Sequence, residues 1–551
     1  GMNRVTYDME YSQARRKQVN DVENPQFNFA TGEQYVWGDK DWNAQLGYFG
    51  RFNYDYAGRY LLEANLRYDG TSVFGADQRW RWYPSFSAGW RVSEEVFMQS
   101  IKEAVSALKL RASWGKIGDQ SVPNSLYVST ISSGSTVSWI GGDGNLLNYV
   151  GTPTSVARDI TWQDISIFDI GLDARFLNGE LGFTFDWFRR KTENMIVPNQ
   201  DLTFTYGTSS LKGNYGNLHT DGWEIGLDYS HQFKNGLRIT ANATLSDFKT
   251  IIDNYGNVTG LDSNYKGKRY GDIWGYKVER LYQKDDFVYD ADGNFVKEKV
   301  TTGKGAGVEI NKLKDPNAHN QAYLQSGSLV FGPGDVMYKD LDGDGEITSG
   351  SNTIDDHGDK VVIGNSTPRY QYSFRVGADW KGFDLSLFFQ GVGKCDMWGS
   401  SSLTLAGFNT GDGAIAKRFS TDYWREDRTD AFYPRAVNMG NGTNSFNMCY
   451  SDRYLLNMAY LRLKNITVGY TLPQYLTKKA LIQKARIYAS CENLFTWDHL
   501  DGTPVDPEAA VLKTADYEYL TNSSTSNYAG GRVGIGTPAF RTISIGVQLT
   551  F

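Results

Sequence analysis

The chain has 551 residues, 22% of them charged, a net charge of -7 and three cysteines, Cys395, Cys449 and Cys491. That balance offers no basic footprint for nucleic acid, and so few cysteines cannot build a disulfide framework or a zinc knuckle. No run approaches the roughly 18 apolar residues of a membrane helix, whereas 14% aromatics with 59 Gly against 13 Pro suit strands, tight turns and an interfacial belt.

No secretion signal opens the chain, which begins Gly-Met in what reads as loop or strand. Residues 1–43 are expected to be an N-terminal loop or strand remnant, and 44–551 the barrel portion of a larger protein whose N-terminal part is absent. From Leu46 the pattern has a period of two: Tyr48, Gly50, Phe52, Tyr54 and Tyr56 fall on one face, and Gln45, Gly47, Arg51, Asn53 and Asp55 on the other. After Ala57-Gly58-Arg59 it resumes with Tyr60, Leu62, Ala64, Leu66 and Tyr68 opposing Glu63, Asn65 and Arg67, which predicts an antiparallel hairpin. Ser93-Glu94-Glu95 followed by Val96, Phe97, Ile101, Val105 and Leu108 predicts a capped amphipathic helix in the connection 93–106. The hairpin unit recurs around Asn178-Gly179, Asn235-Gly236 and Lys381-Gly382, and less regular members lie at 82–92, 107–117, 459–471 and 484–496. The chain ends on Ile543, Ile545, Val547, Leu549 and Phe551 alternating with Ser544, Gly546, Gln548 and Thr550.

Connections alternate between short and long throughout, so one rim is trimmed and the other elaborate. The fold class expected is an all-β antiparallel transmembrane barrel with about 13 to 14 strands in this chain, long extracellular loops and short periplasmic turns. Charge placement separates this from a soluble sandwich. About fifty outward strand positions carry no charge, as a bilayer midplane demands when an Arg or Lys there costs about 2–4 kcal/mol. The opposite face carries Arg51, Asp55, Arg67, Arg91, Lys109, Arg111, Asp173, Glu224, Asp228, Arg238, Arg375, Asp384 and Arg486, too many charges for a dry core. Tyr68, Trp82, Trp114, Trp187 and Trp223 toward the long loops, and Tyr56, Tyr60, Trp90, Trp380 and Tyr470 toward the short turns, read as two membrane girdles.

Several stretches resemble the SusC/RagA family of TonB-dependent transporters of Bacteroidetes. They include Leu66-Arg67-Tyr68-Asp69-Gly70-Thr71-Ser72, Tyr83-Pro84-Ser85-Phe86-Ser87-Ala88-Gly89-Trp90-Arg91, Leu108-Lys109-Leu110-Arg111-Ala112-Ser113-Trp114-Gly115, Tyr460-Leu461-Arg462-Leu463-Lys464-Asn465-Ile466, Asn493-Leu494-Phe495-Thr496 and Asp506-Pro507-Glu508. The resemblance implies an outer-membrane barrel of about 22 strands, filled by a plug, energised by TonB and capped by a SusD-like lipoprotein, importing oligosaccharide or peptide. The plug, the TonB-contacting segment and about eight strands of such a barrel have no counterpart in this chain. The alternative from another class is a surface adhesin or other binding β-protein.

One metal site is expected. Asp340-Leu341-Asp342-Gly343-Asp344-Gly345-Glu346-Ile347 follows the first half of an EF-hand-type loop, with oxygen ligands at alternate positions and Gly at the sharp turn. Ser351 stands where the closing acid belongs, and Asp355 and Asp356 arrive a few residues late. Calcium held by Asp340, Asp342, Asp344, Glu346 and Asp356 is the reading, against an Asp-Gly turn in a solvated loop. Loop aromatics Trp139, Tyr149, Trp398, Tyr433 and Tyr450 suit sugar stacking or contact with a lid protein, and loop packing at least as well, so none is assigned a site. The five histidines, at 219, 231, 319, 357 and 499, sit in no catalytic motif, so no enzyme is expected.

Overall fold

The computed structural model describes the chain apart from residues 199–211, 326–329, 400–416, 437–446 and 509–538, isolated positions within 125–158, and 418 and 419. Fourteen strands form one sheet in chain order, each antiparallel to the next. They are β1 (Met2–Arg16), β2 (Gln34–Tyr56), β3 (Tyr60–Thr71), β4 (Trp80–Arg91), β5 (Val105–Asp119), β6 (Gln163–Phe176) and β7 (Leu181–Pro198), then β8 (Lys212–Gln232), β9 (Arg238–Tyr255), β10 (Arg369–Trp380), β11 (Phe383–Lys394), β12 (Tyr460–Thr471), β13 (Lys484–Asp498) and β14 (Thr542–Thr550). Among the described residues β1 and β14 each have a single neighbour.

Short turns carry the left-handed backbone that hairpins require: Ala57 and Gly58 have φ of 52° and 67°, Asn178 and Gly179 of 56° and 91°, and Lys381 and Gly382 of 48° and 90°. These turns share a rim with the connections 92–104 and 472–483, while the opposite rim carries 120–162, 256–368, 395–459 and 499–541. The connection after β4 departs from the sequence expectation. Instead of an α-helix it holds two short 3-10 segments, Val92–Glu94 and Val96–Ile101. Glu95 is drawn out of any capping role because its carboxylate accepts hydrogen bonds from Tyr60 Oη at 2.7 Å, Trp90 Nε1 at 3.1 Å and an Arg59 guanidinium nitrogen at 3.2 Å, leaving Val96, Phe97 and Ile101 exposed at the rim.

Cross-strand partners share a face, so register assigns every side chain to one side of the sheet. Phe52, Ala64, Phe86, Trp114 and Phe168 form one row across β2 to β6. The row one residue away runs Asn53, Glu63, Ser87, Ser113 and Asp169. Phe52 is 63% exposed and Phe86 54%, and aromatic faces left open along whole strands have only acyl chains as a compatible neighbour. Aromatic rows bound this oily band: Tyr48, Tyr68 and Trp82 above, Tyr56, Tyr60 and Trp90 below. Each strand places its two girdle residues eight positions apart. Eight steps of about 3.3 Å at a tilt near 40° rise about 20 Å, and the rings at both ends extend that to a band of about 25 Å.

Beyond the outer girdle the alternation loses its meaning. The sheet takes in β1 and the first part of β2, residues that the sequence places ahead of the barrel at 1–43. Met2 lies opposite Tyr48, so the β1–β2 ladder rises outward from girdle level, and Val5 and Tyr7 share the face of Gln45 and Asn43. Neither side of that ladder meets lipid. Outward charges appear at the same height elsewhere: Arg189 and Asp221 pair at 2.6 Å two residues past Trp187 and Trp223.

Ala64 sits midway between Tyr60 and Tyr68 on the lipid side. Ala64→Arg is expected to destabilise the wall by about 2–4 kcal/mol, while Ser87→Arg on the opposite face shifts stability by within about 0.5 kcal/mol, as read by guanidinium unfolding in lipid vesicles.

Candidate functional site

The polar face of the wall is a set of cross-strand ion pairs. Arg111 on β5 meets Asp173 at 2.9 Å, Asp186 at 2.8 Å and Asp169 at 4.0 Å. Arg175 meets Asp228 at 2.6 Å, Arg486 meets Asp384 through a nitrogen at 2.8 Å, and Arg51 lies 3.5 Å from Glu63. Three of these pairs lie flat on the sheet over a glycine: a Cβ on Gly171 would stand 2.5 Å from Asp186, one on Gly182 would stand 2.2 Å from Asp228, and one on Gly469 would stand 2.5 Å from Asp384. Exposed pairs of this kind add only about 0–1 kcal/mol each, so their consequence is chemical. They cover the polar face with donors and acceptors while cancelling one another's fields.

The apolar core lies outside the wall, in the long-loop rim. Tyr276, Leu281, Val336, Tyr338, Ile347 and Trp424 pack as one buried cluster, Trp398, Tyr433, Met448 and Tyr454 as another. Short ladders hold this cap together: 272–275 with 361–365, 278–281 with 336–338, and 396–398 with 455–457. Of the loop aromatics, Trp398 and Tyr433 are therefore packing residues, while Tyr450 stacks on Trp398 at 4.6 Å and stays 52% exposed. Tyr149 is exposed on the 146–150 strand, and the Trp139 side chain lies outside the described residues.

Buried charges latch the cap to the strand ends. Arg462 on β12, 4% exposed, donates to Asp506 at 2.6 Å, to Glu508 and to Thr496 Oγ1 at 2.8 Å. Lys464 joins Glu508 at 2.7 Å, so the Tyr460–Ile466 stretch and Asp506-Pro507-Glu508 are two halves of one contact. Burial works against the ionised Asp506 carboxylate, but hydrogen bonds from Arg462 and from the Glu508 and Ala539 amides outweigh it and hold its pKa below the ordinary range. Arg369 pairs with Asp247 across the ends of β9 and β10, both buried. Asp335, fully buried, accepts from Arg435 and from Asn447 Nδ2, each at 2.8 Å.

The acidic loop gathers only part of the expected metal set. Carboxylate oxygens of Asp340, Asp342 and Asp359 come within 4.8 Å of one another. Asp344 instead accepts from the Glu346 amide at 2.8 Å, Glu346 reaches across to the Lys304 amide at 2.9 Å, and Asp356 accepts from the Ser351 amide at 2.8 Å. Asp359, which the sequence reading passed over, accepts from the Leu341 and Thr348 amides at 2.7 Å each and so clasps the loop from below. Burial, then repulsion from Asp342 and Asp340, pushes its carboxyl pKa up. Asp356 is held down by the Ser351 hydroxyl. The only sequence signal for Asp359 was a carboxylate just ahead of the short Val361–Asn365 strand.

A sheet with one lipid-facing and one charged, wet face, trimmed on one rim and capped on the other, defines an outer-membrane β-barrel wall. The family model described as TonB dependent receptor-like, beta-barrel, matches residues 1–494. The chain belongs to that family; it is an outer-membrane protein and not an enzyme. TonB-dependent receptor P3 of Formosa agariphila is 28% identical over 513 residues, covering 91% of this chain and 45% of the relative. TonB-dependent receptor SusC of Bacteroides thetaiotaomicron is 26% identical over 480 residues, covering 85% and 41%. The chain thus spans less than half the length of the curated relatives it matches. The solved structure of the RagAB peptide transporter shares the fold, with a TM-score of 0.70 at 19% identity, over 100% of this chain and 53% of that one.

Arg462→Met leaves the buried Asp506 carboxylate without its cation, while Glu508 keeps Lys464, and is expected to cost about 3–5 kcal/mol. Limited proteolysis should then cut near 499–508, where the parent protein resists. Because the Asp506 pKa is depressed, its contribution is complete above the unfolded carboxylate value of about 3.9. It is lost as pH falls through the folded value, so acid should release the same segment.

Proposed function

We propose that this wall belongs to an importer of oligomeric nutrient, oligosaccharide first and peptide second, energised by TonB through segments outside the fourteen strands and lidded by a SusD-like surface lipoprotein. The observation that carries the reading is the pair of adjacent rows, Phe52 to Phe168 and Asn53 to Asp169, which put lipid on one side and water on the other. Paired charges suit passage of large polar solutes, since they offer hydrogen bonds without a net field that would trap an ion. A relative named SusC and a fold shared with a named peptide transporter support the same class of cargo. The two edge strands with one neighbour each fit completion of the barrel by further strands. Deleting the gene for the whole protein should abolish growth on one class of oligosaccharide, or on peptides, while growth on the monomer persists; unchanged growth on every polymer contradicts the proposal.

We also propose calcium for the acidic loop, held by Asp340, Asp342 and Asp359. Ligands on opposite sides of a calcium ion at about 2.4 Å stand at most about 4.8 Å apart, so oxygens that all lie within 4.8 Å of one another can share one ion. Without metal, the raised Asp359 pKa means that the loop is most stable below the unfolded value of about 3.9 and weakens as pH rises through the folded value. Calcium should cancel that loss and slow trypsin cleavage after Lys339 and Lys360, which flank the loop, and Asp359→Asn should abolish the calcium effect. Identical digestion in calcium and in chelator removes the proposal.

A further inference from the structure

At the mouth of the conduit, level with the Tyr48–Tyr68–Trp82 girdle but on the polar side, lies a cavity of about 260 Å³. Gln45, Arg67, Asp69, Tyr83, Gln120 and Trp162 line it. Arg67 and Asp69 hold each other through two hydrogen bonds of 3.0 Å, so the only charged side chains among these six cancel. Tyr83 is 3% exposed, and among the described residues neither its hydroxyl nor the Gln120 carbonyl oxygen has a hydrogen-bond partner. An unmet buried polar group costs about 1–3 kcal/mol, and native proteins rarely leave two beside one cavity without use. Gly118 is needed for the arrangement, because a Cβ there would stand 1.9 Å from the Tyr83 hydroxyl and 2.7 Å from the Trp162 ring. Trp162 is itself locked, its indole nitrogen donating to the Arg79 carbonyl at 2.9 Å.

We infer that this cavity is a binding subsite for one neutral sugar ring of the translocated oligosaccharide, with the Tyr83 hydroxyl and the Gln120 amide as its hydrogen-bonding groups. Neutrality follows from the closed Arg67–Asp69 pair, which leaves no net charge to recognise a carboxylate or an ammonium. A hydroxyl-rich ligand both donates and accepts, as a phenol and an amide require of a partner, and the indole and phenol rings suit the CH faces of a pyranose. The inference rests on the carbohydrate reading given above and locates one contact within it.

The test titrates the full-length protein in detergent with maltohexaose, xylohexaose, mannohexaose and chitohexaose, and with trialanine, by calorimetry and tryptophan fluorescence. One hexaose is expected to bind, and Tyr83→Phe and Gln120→Leu should each weaken it about tenfold while the thermal melt holds or rises, since each removes an unmet buried polar group. Equal affinity in the parent and both variants places the sugar elsewhere and overturns the subsite, leaving the carbohydrate reading intact. Binding of trialanine alone, or of no hexaose to the parent protein, overturns the carbohydrate reading and the subsite together.

Discussion

Inside a bilayer every backbone N–H and C=O must find its partner within the protein, because lipid supplies none. The ladder from β3 to β13, paired on both sides, meets that demand strand by strand, and it leaves side chains as the only variable. Once the backbone is committed, the period of two decides everything in the wall: Phe52 cannot face lipid without Asn53 facing the polar side. The paired charges at Arg111, Arg175 and Arg486 follow from the same geometry, since a wet face can carry ions and an oily one cannot.

A consequence is that the wall has little dry core. Its strands are one layer thick, and the clusters that resemble the interior of a soluble domain sit in the cap, around Tyr338, Ile347 and Val336. Two kinds of stabilisation therefore coexist in one chain. The wall depends on its solvent, the cap on its own packing, and the two are joined by the ion pairs of buried Arg462 with Asp506 and Glu508. Charges at those joints are retained where apolar contacts would serve for stability, and they give the long loops a defined seat on the strand ends.

The wall was legible in the sequence because its code is local. Alternation over Leu46–Tyr56 and Tyr60–Tyr68, Asn-Gly and Lys-Gly turns, and girdle aromatics each announce themselves within a dozen residues. The cap was not legible, because it pairs 272–275 with 361–365 and closes the Arg462 contact over more than forty residues, and no period marks either. Residues of β1 escaped for a different reason: above the girdle both faces are wet, so Val5 and Tyr7 share a face with Gln45 and Asn43 and the pattern stops reporting orientation. The stretch 93–106 has a helical pattern, yet Glu95 is claimed by Arg59, Tyr60 and Trp90, and the backbone tightens into 3-10 turns. The acidic loop brings Asp340 and Asp342 together with Asp359, which arrives after an intervening turn that spacing rules do not span.

Spin labels placed one at a time along β3, from Leu61 to Arg67, in the protein reconstituted into vesicles measure the central asymmetry directly. Collision with lipid-dissolved oxygen should peak at Leu62, Ala64 and Leu66, and collision with a water-soluble nickel chelate at Leu61, Glu63, Asn65 and Arg67. The same response at successive positions, or lipid contact at Glu63 and Arg67, would contradict the account.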